Sequence, residues 1–162
     1  MSLLPQAVDV VKVPVIAAGG IADGRGIVAA FALGAAAVQI GTAYLFSPEA
    51  KISKIHREAL ENVSDDGTAV TNVFTGRPAR GVLNRLVREL GPLSPLAPAF
   101  PFAGGGLAPL RAKAEAMGSG DFSNLWSGQS ARLSPRLPSG ELTERLAADA
   151  LSHFSRLAAS TQ

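Results

Sequence analysis

Two short apolar runs that each end in glycine constrain the fold of this chain more than any other feature. The first occupies residues 13–18 and is followed by Gly19 and Gly20; the second occupies residues 36–40 and is followed by Gly41. Short apolar runs bounded by glycine are typical of parallel strands buried on both faces. The sequence therefore predicts two buried parallel strands, each of which ends in a glycine turn.

Helices are predicted after both strands. Asp23 suits the N-cap of a helix that runs to Leu33, and Gly34 suits the position after its last turn. A second helix is predicted from Ser47, where a serine, a proline and an acidic residue follow one another, and it continues through residues 49–63. Strand, helix, strand and helix in this order are the repeating unit of an α/β fold with parallel strands.

The composition excludes several classes of protein. The 162 residues include no cysteine, so disulfide scaffolds, thiolate metal sites and cysteine nucleophiles are ruled out. The net charge is +2, and the absence of a long basic block gives no indication of nucleic-acid binding. No basic segment leads into an apolar one at the amino terminus, so we expect a cytoplasmic protein without a secretory signal.

One uncharged stretch, residues 26–48, is long enough to cross a bilayer. It is rich in alanine and is interrupted by Gly34, Gln39, Gly41 and Thr42. These interruptions favour a buried helix, a turn and a buried strand, and we expect no membrane partner.

The rest of the chain is less regular. We expect a strand over residues 69–74 and then an amphipathic helix whose apolar stripe runs from Val82 to Leu90. Arginines 77, 80, 85 and 88 form a basic patch, which is interpreted either as a solvated surface or as a contact to an anion or a backbone carbonyl. Repeated prolines and three glycines over residues 92–106 predict irregular structure, and a last helix is predicted over residues 141–159.

The two glycine turns are candidates for a phosphate site. Glycines let backbone amides approach an anion, and the helix that follows the first turn would add unpaired N–H groups and a positive dipole end. The carboxyl ends of parallel strands meet at one edge, as after strands 7 and 8 of a (β/α)₈ barrel, where phosphate sites are common. Ordinary strand-end turns remain the alternative interpretation.

Several motifs together resemble one enzyme family. They are PVIAAGGIADGRG at 14–26, GAAAVQIGT at 34–42, FTGRPAR at 74–80, Asn84-Arg85, and DFSNLWSGQ at 121–129. This set is similar to the nitronate monooxygenases, or 2-nitropropane dioxygenases, which are FMN-dependent (β/α)₈ barrels. The first motif alone also fits related FMN barrels, including enoyl-reductases and inosine-phosphate dehydrogenases.

The resemblance implies FMN as the cofactor, with a small nitronate and molecular oxygen as the substrates. It also implies roles for six residues. Gly20 and the turn formed by Gln39, Ile40, Gly41 and Thr42 match positions that bind FMN, mainly its phosphate, and Gly19 is the adjacent turn residue. Neither His56 nor His153 lies in a catalytic motif, so we assign no catalytic residue and no metal ligand in this chain.

The resemblance also implies how the chain relates to a barrel. Residues 1–63 are similar to the end of the FMN-binding barrel, with strands that look like the seventh and eighth, and residues 64–162 to a mostly helical, irregular substrate-side segment. Six strands would be missing, so we expect a truncated chain that is colourless and inactive alone. It would self-associate or be complemented by an amino-terminal half. The alternative is a non-catalytic remnant that binds phosphate or FMN.

Overall fold

The computed structural model describes residues 1–160 and has an α/β fold. The last two residues of the predicted second domain lie outside the described residues. In chain order the elements are α1 (Leu3–Val10), β1 (Ile16–Ala18), α2 (Gly24–Ala32), β2 (Ala37–Gln39), a 3₁₀ helix (Thr42–Phe46), α3 (Lys54–Asn62), β3 (Thr68–Thr71), β4 (Ala79–Val82), α4 (Arg85–Leu90), α5 (Ala103–Ala116), a second 3₁₀ helix (Ala131–Leu133) and α6 (Ser139–Ala159).

The described chain forms two compact units. Unit 1 contains residues 1–50 together with residues from 133 onward, and unit 2 contains residues 51–132. Unit 2 is therefore an insertion in the connection that follows β2, and the chain returns to unit 1 through α6. The boundary predicted after Val63 falls inside unit 2, because α6 packs against α2 while α3 belongs to the insertion.

The βαβ segment of unit 1 agrees with the sequence prediction. β1 and β2 are parallel neighbours, with Ile16 opposite Ala37 and Ala18 opposite Gln39. Gly34 follows α2 with φ +92°, a left-handed conformation that glycine adopts without the steric cost of a side chain. The strand, helix and strand predicted from the apolar runs are therefore confirmed. The predicted burial of both strands is wrong: Ile16 and Ala18 are exposed and no residue of β2 is fully buried, because the sheet formed within residues 1–160 has only these two strands.

The core of unit 1 lies between α2 and α6. Apolar residues at helical spacing on both helices are buried there: Ile27, Val28, Ala30, Leu142, Leu146 and Ala150. The carboxylate of Glu49 accepts hydrogen bonds from the N–H and the hydroxyl of Ser139, where α6 begins. The second helix of this core is therefore α6 and not the helix that was predicted at 49–63.

The helix predicted from Ser47 is a correction to the sequence prediction. Ser47 closes the first 3₁₀ helix by donating its N–H to the carbonyl of Tyr44, and α3 begins only at Lys54. The N-cap of α3 is Ser53, whose hydroxyl accepts from the N–H of His56 at 3.1 Å. The local signal at Ser47 was misleading because Glu49 caps a helix ninety residues further along the chain.

Unit 2 contains an antiparallel hairpin in place of part of a predicted helix. β3 and β4 pair with Thr68 opposite Val82 and Thr71 opposite Ala79. Val82 is therefore a strand residue, and the predicted helix shortens to α4. The predicted strand over 69–74 shortens as well, because residues 73–75 form a turn.

α5 begins inside the 92–106 segment that was predicted to be irregular. It includes Gly104, Gly105 and Gly106, which were expected to exclude regular structure, and it continues through Pro109. Gly104 lies close to Phe74, because a Cβ on Gly104 would sit 3.3 Å from the Phe74 carbonyl oxygen. Packing that only a small residue permits therefore outweighs the low helix propensity of glycine here.

The uncharged stretch at 26–48 is divided among α2, β2 and the first 3₁₀ helix, as the interruptions indicated. Within residues 1–160, no helix has both the length and the apolar character needed to cross a membrane.

Candidate functional site

The two glycine turns lie at one edge of the β1–β2 sheet. Because the strands are parallel and Ala18 is opposite Gln39, the segments after Ala18 and Gln39 leave adjacent positions at the same end. Gly19 and Gly20 follow β1, and Gly41 follows β2 by two residues. The sequence prediction that both turns share the carboxyl-terminal edge is therefore confirmed.

The glycines at this edge have room for a ligand. Gly19 and Gly20 have φ of +94° and +72°, which disfavours any side chain there. Among the described residues, no heavy atom outside the chain neighbours lies within 4 Å of a Cβ built on Gly19, Gly20 or Gly41. A turn of backbone amides with open space in front of it has the shape and chemistry that a phosphate needs, so these residues fit the phosphate group of a nucleotide-like cofactor.

The other candidate residues differ in whether the side chain or the backbone could contact a ligand. The side chain of Gln39 is exposed, whereas Ile40 is half-buried and packs against the core of unit 1. Thr42 is half-buried and begins the first 3₁₀ helix, whose first hydrogen bond runs from the N–H of Tyr44 to the Gly41 carbonyl at 3.0 Å. Ile40 would therefore contribute through its backbone, and Gln39 and Thr42 through polar side chains.

The first turn of α2 is a correction to the phosphate-site prediction, which expected unpaired N–H groups there. Asp23 accepts from the N–H of Gly26 at 3.2 Å, and Asp149 accepts from the N–H of Gly24 at 2.9 Å. The hydrogen bond from the Arg25 guanidinium holds the pKa of Asp23 below its usual range, so this carboxylate is ionised at neutral pH. Two carboxylates thus take the donors that an anion would use, which leaves the glycine turns as the anion-binding part of the edge.

Asp149 was missed by sequence reasoning because it lies 125 residues from the helix that it caps. The signal that could have found the contact is Gly24. A Cβ on this residue would lie 2.6 Å from the Asp149 carboxylate and 2.7 Å from the Ala150 nitrogen. A glycine in the first turn of a helix therefore marked the close approach of α6.

Three of the four arginines in the basic patch of unit 2 contact other residues of the protein. Arg80 donates to the carbonyl and the hydroxyl of Thr68, each at 3.1 Å, which matches the backbone-carbonyl interpretation. The Arg77 guanidinium lies 4.3 Å from the centre of the Phe100 ring, and Arg85 pairs with Glu89. These contacts stabilise three parts of unit 2: Arg80 the hairpin, Arg77 the 98–102 segment and Arg85 α4.

Trp126 is a packing residue. Its ring packs edge-on against Phe74 at 5.8 Å, and its backbone bridges to Gly81. The Nε2 atom of His56 lies 2.9 Å from the Trp126 carbonyl, so this imidazole holds the 121–129 segment. Within residues 1–160, no group of three acidic or histidine side chains is arranged to hold a metal ion.

An α/β fold with two parallel strands and open glycine turns at their carboxyl edge is typical of phosphate-binding α/β enzymes. Comparison with known proteins defines the family. The family model for nitronate monooxygenase matches residues 1–149, so the chain belongs to the nitronate monooxygenase family, as the sequence motifs indicated. Its relatives are named as enzymes, probable nitronate monooxygenases and a nitroalkane oxidase.

Relatives and solved structures agree on this family. The chain is 42% identical over 146 residues to a probable nitronate monooxygenase of Staphylococcus saprophyticus, and 40% identical to one of Staphylococcus aureus. A nitroalkane oxidase from Streptomyces ansochromogenes is 42% identical with a TM-score of 0.87 over 96% of this chain. FabK from Thermotoga maritima is 31% identical with a TM-score of 0.78 over 98% of this chain.

The match covers most of this chain but at most half of each relative. The alignment spans 90% of this chain and 41% of either staphylococcal protein, and the structural match spans 44% of the nitroalkane oxidase and 50% of FabK. The chain thus corresponds to about two fifths of the length of the curated relatives.

Proposed function

We propose that this chain supplies the phosphate-binding edge of an FMN-dependent (β/α)₈ barrel that oxidises alkyl nitronates with molecular oxygen. In this proposal β1 and β2 correspond to the seventh and eighth barrel strands, and unit 2 to the substrate-side segment. The observation that carries it is the pair of open glycine turns side by side after two parallel strands. Loops after the last two strands of such barrels frequently bind phosphate.

The residues proposed to hold FMN are those at this edge. The backbone of Gly19, Gly20, Ile40 and Gly41 would face the phosphate, and Gln39 and Thr42 would add polar side chains. The left-handed conformation of Gly20 and the space in front of Gly41 support this assignment. When bound, the flavin supplies the redox chemistry, and the protein binds and orients it.

The substrate assignment depends on the family. Nitronate and oxygen are proposed because two named groups of relatives, the probable nitronate monooxygenases and the nitroalkane oxidase, are 40–42% identical to this chain over the aligned residues. The likeness to FabK favours a second candidate, a related FMN barrel such as an enoyl-reductase. A non-catalytic module that keeps only the phosphate site is the third, and the cytoplasmic location stays a prediction.

Reconstitution tests this function. We expect the purified chain alone to be colourless and inactive, because the phosphate edge by itself offers too few contacts to offset the entropy cost of binding. Co-expression with the six preceding strand–helix units of a relative should give a yellow complex that consumes oxygen with an alkyl nitronate. A yellow complex that reduces an enoyl thioester and ignores the nitronate would establish the second candidate, and a colourless complex would favour the third.

A glycine variant tests the assignment of the edge in the same complex. Gly41→Val should abolish flavin binding, because its side chain would occupy the space in which the phosphate is proposed to lie. Gly105→Val is the matched control, since Gly105 in α5 also has open space around its Cβ position. Stoichiometric flavin in the Gly41→Val complex would contradict the assignment.

A further inference from the structure

The groove between α2 and α6 is a concave site that the proposed function does not use. Its cavity volume is about 490 Å³, within the range typical of small-molecule pockets. It shares no lining residue with the glycine turns at the edge of the sheet. Any ligand that it takes would therefore be distinct from the proposed cofactor.

The walls of the groove are apolar. Val28, Ala29 and Ala32 line it from α2, and Leu157 lines it from α6. From Arg25 to Ala32 the α2 side of the groove extends over about 10 Å at the rise of an α-helix, a length that suits a medium-length alkyl chain. Because Ala29 and Ala32 carry only methyl side chains, the floor of the groove stays open.

The polar lining of the groove is basic. Arg25, His153 and Arg156 border it, and two nearby carboxylates are already engaged. Asp23 pairs with Arg25, and Asp149 accepts from the N–H of Gly24 and lies 3.5 Å from the His153 ring.

Arg156 is the cation that this arrangement leaves for a ligand. Within residues 1–160 its guanidinium contacts the His153 ring and no carboxylate. The family match ends at residue 149, within α6, so Arg156 and Leu157 lie beyond it.

We propose that the groove binds an amphiphilic anion, which is a single acidic headgroup on a medium-length alkyl chain. The headgroup, a carboxylate or a phosphate monoester, contacts Arg156 beside His153. The alkyl chain lies over Val28, Ala29 and Ala32. An anion satisfies the guanidinium, and burial of the alkyl chain supplies the rest of the affinity.

Titration of the ¹⁵N-labelled chain with octanoate tests this proposal. The amide resonances of residues 28–32 and 153–157 should shift. Octanol and octylammonium, which carry the same alkyl chain, should bind about tenfold more weakly, because a charge-assisted hydrogen bond is lost. Octyl phosphate identifies the preferred headgroup. Equal affinity for octanol and octanoate, or shifts confined to other residues, would overturn the proposal.

Two variants separate the headgroup from the alkyl wall. Arg156→Gln should lower octanoate affinity about tenfold and leave octanol affinity unchanged, while Arg145→Gln, on an exposed part of the same helix, should change neither. Ala32→Leu should block both ligands by filling the groove, with Ala148→Leu as the control. If octanoate binds Arg156→Gln or Ala32→Leu as tightly as it binds the wild type, the proposed positions of the headgroup and the alkyl chain are wrong.

Discussion

Replacement of Asn84 by alanine should destabilise unit 2 more than any surface change of the same type. Asn84 is 5% exposed, and its amide donates to the carbonyls of Gly120 and Ser123, both at 2.9 Å. Its side-chain oxygen also accepts from the N–H of Val87 at the start of α4. A buried hydrogen bond contributes about 1 kcal/mol, and an N-cap about the same. Asn84→Ala should therefore lower the free energy of unfolding by about 3 kcal/mol.

Urea unfolding followed by tryptophan fluorescence measures this change. Trp126 is the only tryptophan and lies in unit 2, so its signal reports on the unit that contains Asn84. A loss of 3 kcal/mol should move the midpoint by about 1–2 M urea.

Asn62→Ala is the matched control for this prediction. Asn62 makes one exposed hydrogen bond, to the Glu58 carbonyl one turn earlier in α3. Its replacement should cost less than about 0.5 kcal/mol. Equal midpoints for the Asn84→Ala and Asn62→Ala variants would refute the reasoning that the buried amide holds the 120–123 segment to α4.

Three further predictions follow from named contacts. Gly20→Ala and Gly118→Ala each place a side chain at a residue with positive φ and open space around it. Each should therefore lower the free energy of unfolding by about 1 kcal/mol, as measured by denaturation. Only Gly20→Ala should also weaken FMN binding. The pKa of Asp23 is lowered in the folded state, so its stabilising contribution is present above about pH 4 and is lost as the pH falls through the folded pKa. The difference in Tm between the wild type and Asp23→Asn should therefore shrink from pH 6 to pH 3. A difference that stays constant over this range would contradict the prediction. Arg80→Ala should lower the Tm of unit 2, because two hydrogen bonds to Thr68 are lost. An unchanged Tm would contradict this structural role and would favour the alternative that Arg80 contacts a ligand.

The sequence predicts the βαβ part of unit 1 well because the signals there are local. The glycine-bounded apolar runs, the N-cap at Asp23 and the glycine at position 34 all act within a few residues of the element that they define. α6 was also found, because Leu142, Leu146 and Ala150 repeat at helical spacing along its buried face. The candidate edge follows from the same signals, since parallel strands fix which turns meet.

The remaining features depend on contacts distant in sequence. Val82 was expected in a helix but pairs with Thr68 across the hairpin. The capping of α2 by Asp149 and of α6 by Glu49 joins residues more than eighty positions apart. No local pattern shows that a 3₁₀ helix follows Gly41, or that the helix packed against α2 comes from the end of the chain.

The contribution of the phosphate is the most direct test of the proposed edge. This chain, ¹⁵N-labelled and in complex with the six preceding strand–helix units of a relative, is titrated with FMN and with riboflavin, which differ only by the phosphate group, and with inorganic phosphate. We predict that FMN and inorganic phosphate shift the amide resonances of Gly20 and Gly41, that riboflavin does not, and that Gly20→Ala abolishes the shifts. Riboflavin binding as tight as that of FMN, or FMN shifts that leave both glycines unchanged, would contradict a phosphate site at the carboxyl edge of β1 and β2.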